Sequence, residues 1–381
     1  MTYDVVILGA GIVGCACARE CASAGLRTAV IERDLPGGAT TAAGMGHLVA
    51  MDDSPSQLAL TRYSRSLWQE LEAELPPSVE YEARGTLWIA ADEQEMAEVS
   101  AKRAAYVEAK VASTALDGAQ VAEAEPNLRR GIAGGLLVPE DAVIYPPAAA
   151  AFFLEEAERR GAVLLRGKSA VSAGRGRVRL EDGTEIGCAS IVAATGADKA
   201  LLPWLPIQRR KGHLVITDRY PGFAHHQIIE LGYLKSASEL EADSVAFNLQ
   251  PRRTGQLLIG SSRQYGSNDA GVEQEILRRM LERACEYMPG LAQTVAIRAW
   301  TGFRAATRDK LPLIGPVPGP VIDPAGDDPK LYLVSGFEGL GITNAPGAAR
   351  LLVDQLAGRT PAIPVEPYLP VRASLWEPAH A

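Results

Sequence analysis

The sequence predicts an α/β fold in two domains, one on a parallel sheet and one on a mostly antiparallel sheet. Three observations predict it. The chain opens with strand, glycine turn, helix, strand and acid within residues 3–32. A second apolar strand running into a glycine-rich helix start lies near the other end, at residues 331–346. Between them come short apolar stretches separated by turn signals, the pattern of an antiparallel sheet. At 381 residues the chain also exceeds one compact core of ordinary size.

Residues 3–8 are mainly β-branched and apolar, as a strand buried on both faces should be. Gly9, Gly11 and Gly14 follow, spaced as G-x-G-x-x-G across Ala10, Ile12 and Val13, and an alanine-rich helix runs on to residues 24–25. Gly9 allows the tight turn, Gly11 lets backbone approach a pyrophosphate, and Gly14 lets helix and sheet pack closely. The helix start offers N–H groups and partial positive charge to the phosphates. A second strand, 28–31, closes at Glu32, whose carboxylate can accept from both ribose hydroxyls and disfavours a 2′-phosphate. This Rossmann-type unit therefore reads as a site for FAD or NAD rather than NADP.

Residues 37–47 are almost all small, and include Thr40, Thr41, Ala43, Gly44, Met45 and His47. Such a stretch lets a planar ring approach the backbone; a flexible loop has the same composition. A strand at 162–165, a hairpin around Asp182-Gly183, and a strand from 191 into the Thr195-Gly196 turn continue the nucleotide-binding pattern. The helix expected at 347–356 follows the glycine-rich segment 335–346, whose positive end could face the electron-rich N1–C2=O edge of a reduced flavin. Two glycine-rich helix starts at opposite ends of the chain suit a long, two-ended cofactor, which favours FAD.

The ordered set of these segments, together with residues 302–315 (Gly302-Phe303-Arg304 through Gly315), resembles the glycine oxidase and D-amino-acid oxidase (DAO) group of flavoproteins over nearly the whole chain. Residues 42–49, 211–220 and 255–263 look most like bacterial D-hydroxyproline dehydrogenases. The resemblance implies a glutathione-reductase-like FAD domain from 1–82, 141–205 and 300–381, and a substrate domain from 83–140 and 206–299. It implies FAD contacts from Gly9, Gly11, Ile12, Val13, Gly14, Glu32 and Arg33, and from Thr40, Thr41, Ala43, Gly44 and Met45. Further contacts are implied at Val171, Thr195 and Gly196, and at Gly339, Leu340, Gly341, Ile342 and Thr343. Relatives that attach FAD covalently carry a cysteine where this chain has residues 302–315; none is present here, so noncovalent FAD is expected.

The chemistry so implied is hydride transfer from a substrate Cα–H to flavin N5, a reaction that needs orientation more than a protein nucleophile. Arg304 matches the family position that grips the substrate carboxylate, a task suited to a planar guanidinium. Met45 and His47 either line the pocket or simply pack. Tyr233 is a candidate cap for the pocket, against the ordinary packing role of a strand tyrosine. cis-4-Hydroxy-D-proline is the favoured substrate; glycine, sarcosine or another N-substituted amino acid is the alternative, with O2 or another electron acceptor. A noncatalytic FAD-binding subunit is the reading from another class.

Composition bounds the rest. A net charge of −8 argues against nucleic-acid binding, and no apolar stretch is long enough to span a bilayer. Five cysteines without a Cys-x-x-Cys pair exclude disulfide-reductase chemistry and predict neither disulfides nor a metal site. Those thiols and the absence of a leader-like start point to a cytoplasmic protein, with a homo-oligomer compatible. His225-His226 and Arg209-Arg210-Lys211 read as solvated surface runs. Strands are expected at 85–90, 134–138, 214–217, 244–249 and 256–259, with helices at 93–112 and 272–288 outside them.

Overall fold

In a computed structural model, residues 2–232, 243–317 and 331–372 are described. Tyr233 lies outside them. Two large sheets organise the chain. In the first, the spatial order is Leu313–Pro316, Leu331–Ser335, Glu185–Ala193, Thr2–Leu8, Thr28–Glu32 and Val163–Arg166, with a hairpin of Ala170–Gly174 and Arg177–Leu180 beside Glu185–Ala193. The strand Thr2–Leu8 pairs in parallel on both sides, Val6 facing Ile191 and Ala29. Flanked on both edges and covered on both faces, Val6 and Ile7 are fully buried, as apolar residues of a central parallel strand should be.

The helices Ile12–Ser23, Pro146–Arg159 and Gly341–Ala357 cover one face of this sheet in a shared apolar cluster. Cys15, Cys17 and Cys21 are completely buried there. Burial pushes all three thiols up, Cys21 to about 12, so they pack as small apolar residues rather than react.

The second sheet has nine strands and is antiparallel except where Gln227–Glu230 pairs in parallel with Thr86–Ala90. Its long strands Gln208–Arg219, Gln256–Tyr265 and Ala296–Ala306 form the floor of the candidate site. The expected domain cut at 299/300 falls inside the continuous strand Ala296–Ala306. One of the stretches that join the two sheets is short: Leu331–Ser335 belongs to the parallel sheet, and Phe337–Glu338 pairs with Ala305 and Ala306 in the other. The turn between them requires Gly336, at φ +79°, where a Cβ would lie 2.7 Å from Thr307 Cγ2.

Several expected boundaries change, each for a local reason. The helix expected to end at 112 stops at Glu108, because Lys110 adopts φ +56° and the chain turns into the strand Thr114–Asp117. The strand expected at 214–217 extends from Gln208 to Arg219 and includes the basic run. Arg210 and Lys211 are not solvated. They are 3% and 0% exposed, and their charges are met by Glu338 (2.5 Å) and Glu273 (2.8 Å). Only Arg209 is exposed, lying over the Phe303 ring. The His225-His226 loop is likewise tied down: both backbone N–H groups donate to the fully buried Glu125 carboxylate, and His226 Nδ1 lies 2.8 Å from it.

The last long helix begins at Gly341, six residues before the expected start, and carries Pro346 inside it. Proline has no N–H, so the Ile342 carbonyl loses its helical donor. Trp68 Nε1 donates to Ile342 O (3.3 Å) and Thr343 O (3.0 Å), satisfying the orphan from the neighbouring helix Pro55–Leu71. Trp68→Phe removes this donor together with part of the buried ring system. It should cost about 1–2 kcal/mol in denaturant-induced unfolding, whereas Trp68 substitution with no change in midpoint would contradict this account.

Candidate functional site

The glycine fingerprint forms a turn pressed against the neighbouring strand. A Cβ at Gly9 (φ +101°) would sit 2.7 Å from Ala194 O, and one at Gly14 would sit 2.0 Å from Gly9 O. Gly11 is the N-cap of Ile12–Ser23 and supplies no side-chain cap. Thr41 Oγ1 accepts from Ile12 N (3.0 Å), while the positive end of the helix opens into a cavity of ≈930 Å³. Glu32 is aimed at the same cavity by two backbone donors, Ala10 N (2.7 Å) and Asp34 N (2.8 Å). Arg33 lines the cavity beside it, ion-paired with Asp198 at 2.5 Å.

The small-residue segment is held between the antiparallel sheet and the helices that cover the parallel one. Residues Ala39–Ala42 form a short helical turn, Thr40 Oγ1 donates to Phe303 O (2.8 Å), and Trp300 Nε1 donates to Ala43 O (3.3 Å). The layers approach closely: a Cβ at Gly302 would lie 2.5 Å from Ala43 Cβ, and one at Gly44 would lie 2.6 Å from Ile342 Cδ1. Gly339, Gly341 and Ile342 line the cavity at the start of the last helix, whose N-cap residue Leu340 makes no side-chain cap bond. Thus two helix N-termini whose own N-cap residues offer no side-chain acceptor open into one cavity.

Thr195 and Gly196 line that cavity as well. Gly14, Leu340 and Thr343 do not; Thr343 instead donates to His47 O (2.8 Å) and fixes the end of the small-residue segment. Val171 is 49% exposed and does not line the cavity, whose edge here is formed by Ser169 and Ala170.

Arg304 projects from Ala296–Ala306 across Gly212 of the adjacent strand, where a Cβ would lie 2.6 Å from its Nη1. One bond, Nη1 to Ser262 O (3.0 Å), orients the guanidinium, leaving other donors of its fork for a ligand. Gly212 is the kind of strand-interior glycine that marks a close approach. His47 also lines the cavity, and its Nε2 has no partner among the described residues. Burial, then the positive charge of Arg252, pushes its pKa down to about 4, so the imidazole is neutral at pH 7. Met45 packs against Gly260 on the sheet floor.

Among the described residues there is no cluster of His, Cys, Asp and Glu able to hold a metal, and no helix is long and apolar enough to cross a membrane. The cavity fits FAD: an acid at one end, two open helix N-termini, and glycine-lined walls where a planar ring can lie against backbone.

A family model described as FAD dependent oxidoreductase (DAO) matches residues 4–355. The chain is 28% identical to a glycine oxidase of Pseudomonas aeruginosa, with 97% of this chain and 99% of that protein aligned. The fold matches the crystal structure of glycine oxidase from Geobacillus kaustophilus with TM-score 0.85 at 24% identity, covering 97% of this chain and 99% of that one. It also matches L-proline dehydrogenase from P. horikoshii with TM-score 0.86 at 23% identity, covering 98% of each.

The His47 environment has a pH signature. Its folded-state pKa of about 4 lies below the ordinary 6.5, so the unfolded chain takes up this proton first as pH falls. The corresponding stability is fully present above pH 6.5 and is lost progressively as pH falls through the folded value. His47→Gln should flatten unfolding stability across this window when measured by denaturant titration at several pH values. An unchanged slope would show that His47 is not desolvated.

Proposed function

The chain belongs to the DAO family of FAD-dependent oxidoreductases, and we propose that it oxidises the C–N bond of a small amino or imino acid held by its carboxylate. The observation that carries this is Arg304, a guanidinium oriented by Ser262 O at the cavity wall, beside the second helix start. A bidentate carboxylate on that fork would place the substrate Cα between the sheet floor and the small-residue segment.

FAD, when bound, supplies the two-electron acceptor for the hydride leaving Cα. Gly9, Gly11, Glu32, Thr41, Gly44 and the 339–342 segment would hold it, noncovalently, since residues 302–315 contain no cysteine. Arg304 fixes the substrate, and the neutral His47 imidazole offers Nε2 to a substrate hydrogen bond without adding charge. Met45 and Leu214 supply apolar walls that limit water. With the ammonium proton released to solvent beforehand, the nitrogen lone pair would be free to close the C=N bond as Cα gives up its hydride.

cis-4-Hydroxy-D-proline is the substrate favoured by residues 42–49, 211–220 and 255–263. The second reading, oxidation of glycine or an N-substituted amino acid with O2, is supported by the similarity to the Pseudomonas aeruginosa glycine oxidase. Oxygen-electrode and dye-reduction assays run in parallel separate the acceptors. The cytoplasm is the compartment we assign.

Arg304→Ala should retain FAD and raise KM about 100-fold, and Arg304→Lys should recover part of that loss as a point charge without the fork. Steady-state kinetics with flavin content measured alongside check this. Loss of flavin with unchanged KM would remove Arg304 from substrate binding.

A further inference from the structure

The sheet floor beside Arg304 carries two buried polar side chains that the carboxylate clamp does not use. Asn248 and Ser261 line the cavity and are 7% and 4% exposed. Asn248 Oδ1 and Ser261 Oγ have no hydrogen-bond partner among the described residues. Leaving buried polar atoms unpaired costs stability unless a ligand or water answers them. Their place in the floor is defined by strand pairing. Asn248 sits opposite Gly260, which precedes Ser261, and Ser262 is the residue whose carbonyl holds Arg304. The two side chains therefore lie about one to two strand spacings, on the order of 5–10 Å, from the guanidinium.

Their neighbours restrict what they can bind. The space over Gly260 is walled by Met45 and Leu214, whose Sδ and Cδ2 lie 3.3 and 2.8 Å from where a Gly260 Cβ would stand. A carboxamide and a hydroxyl can both donate and accept, and neither carries charge. Such a pair, flanked by thioether and leucine, suits a neutral group that also donates and accepts: a hydroxyl. It does not suit a second carboxylate or an ammonium, which would need a buried counter-charge.

Resting on the C–N oxidation proposed above, we propose that Asn248 and Ser261 are the specificity-determining residues, reading a neutral hydroxyl on the substrate part distal to the carboxylate. The substrate class is then a hydroxylated amino or imino acid, with Arg304 gripping one end and Asn248 and Ser261 the other. Glycine and sarcosine, which have no such group, would leave both residues unanswered.

The test compares matched pairs with and without the hydroxyl: cis-4-hydroxy-D-proline against D-proline, D-serine against D-alanine, and N-(2-hydroxyethyl)glycine against N-ethylglycine. For each pair, kcat/KM is measured by dye reduction on the FAD-loaded wild type, Ser261→Ala and Asn248→Leu, with flavin content and circular dichroism recorded. The wild type should favour the hydroxylated member of at least one pair by about 100-fold or more, because a site built for a hydroxyl rejects its deoxy analogue. Each variant should reduce that ratio at least about tenfold. Ser261→Cys, which keeps a weak donor, should fall between wild type and Ser261→Ala. Ratios near one in the wild type, or ratios unmoved in both flavin-loaded variants, would overturn the assignment while leaving C–N oxidation standing. If no amino or imino acid in the panel were oxidised at all, the proposed reaction would fall, and the assignment with it.

Discussion

At three positions around the cavity the neighbours stand so close that a Cβ has no room, and the rest of the site depends on that. The segment 39–46 runs between the antiparallel sheet and the helices that cover the parallel sheet, meeting Trp300 and Phe303 on one side and Ile12 and Ile342 on the other. A Cβ at Gly302 would meet Ala43, one at Gly44 would meet Ile342, and one at Gly46 would lie 2.0 Å from Ile144 O. Glycine at these positions gives up more conformational entropy on folding than any other residue would. In return the segment forms a thin wall, with the helix starts at Ile12 and Gly341 on one side and the floor of Leu214 and Arg304 on the other.

Charge is arranged on both sides of that wall to match. Glu32 stands where a ribose would be met, and the helix ends present partial positive charge where phosphate and the flavin edge would lie. On the antiparallel sheet, Arg210 and Arg304 are directly paired across neighbouring strands, with Glu338 against Arg210. Burial pushes the Arg210 pKa down, and Glu338 acts against that. Glu338 belongs to the short stretch that joins the sheets, at φ +53° just before the last helix. The ion pair thus ties the stretch before the last helix to the strand that pairs with the one carrying Arg304.

What the sequence made legible was local. Gly9, Gly11, Gly14 and Glu32 are close in the chain, and their spacing reports a turn, a helix and a strand at once. The small-residue segment was visible as composition, but not its confinement between sheet and helices, because Gly302 and Ile342 reach it only through the fold. Where reading failed, a tertiary partner had overridden a local rule. Pro346 masked the true helix start because Trp68, 278 positions away, supplies the missing donor. Arg210 and Lys211 read as surface charge because Glu338 and Glu273 are remote in sequence. Glu125 hid the role of the histidine loop in the same way. Asn248 and Ser261 gave only a faint signal, a polar residue in an apolar strand and a serine beside glycine; strand pairing is what brings them to one cavity.

The central claim is that one cavity holds FAD along its glycine-lined wall and a substrate carboxylate on Arg304. The most direct test is a crystal structure of the FAD-loaded protein soaked with an unreactive aromatic carboxylate. The account predicts that the flavin ring lies against the 43–46 segment, with the carboxylate paired to the Arg304 guanidinium on the side of the antiparallel sheet. A flavin ring elsewhere, or a carboxylate bound away from Arg304 at full flavin occupancy, would contradict it.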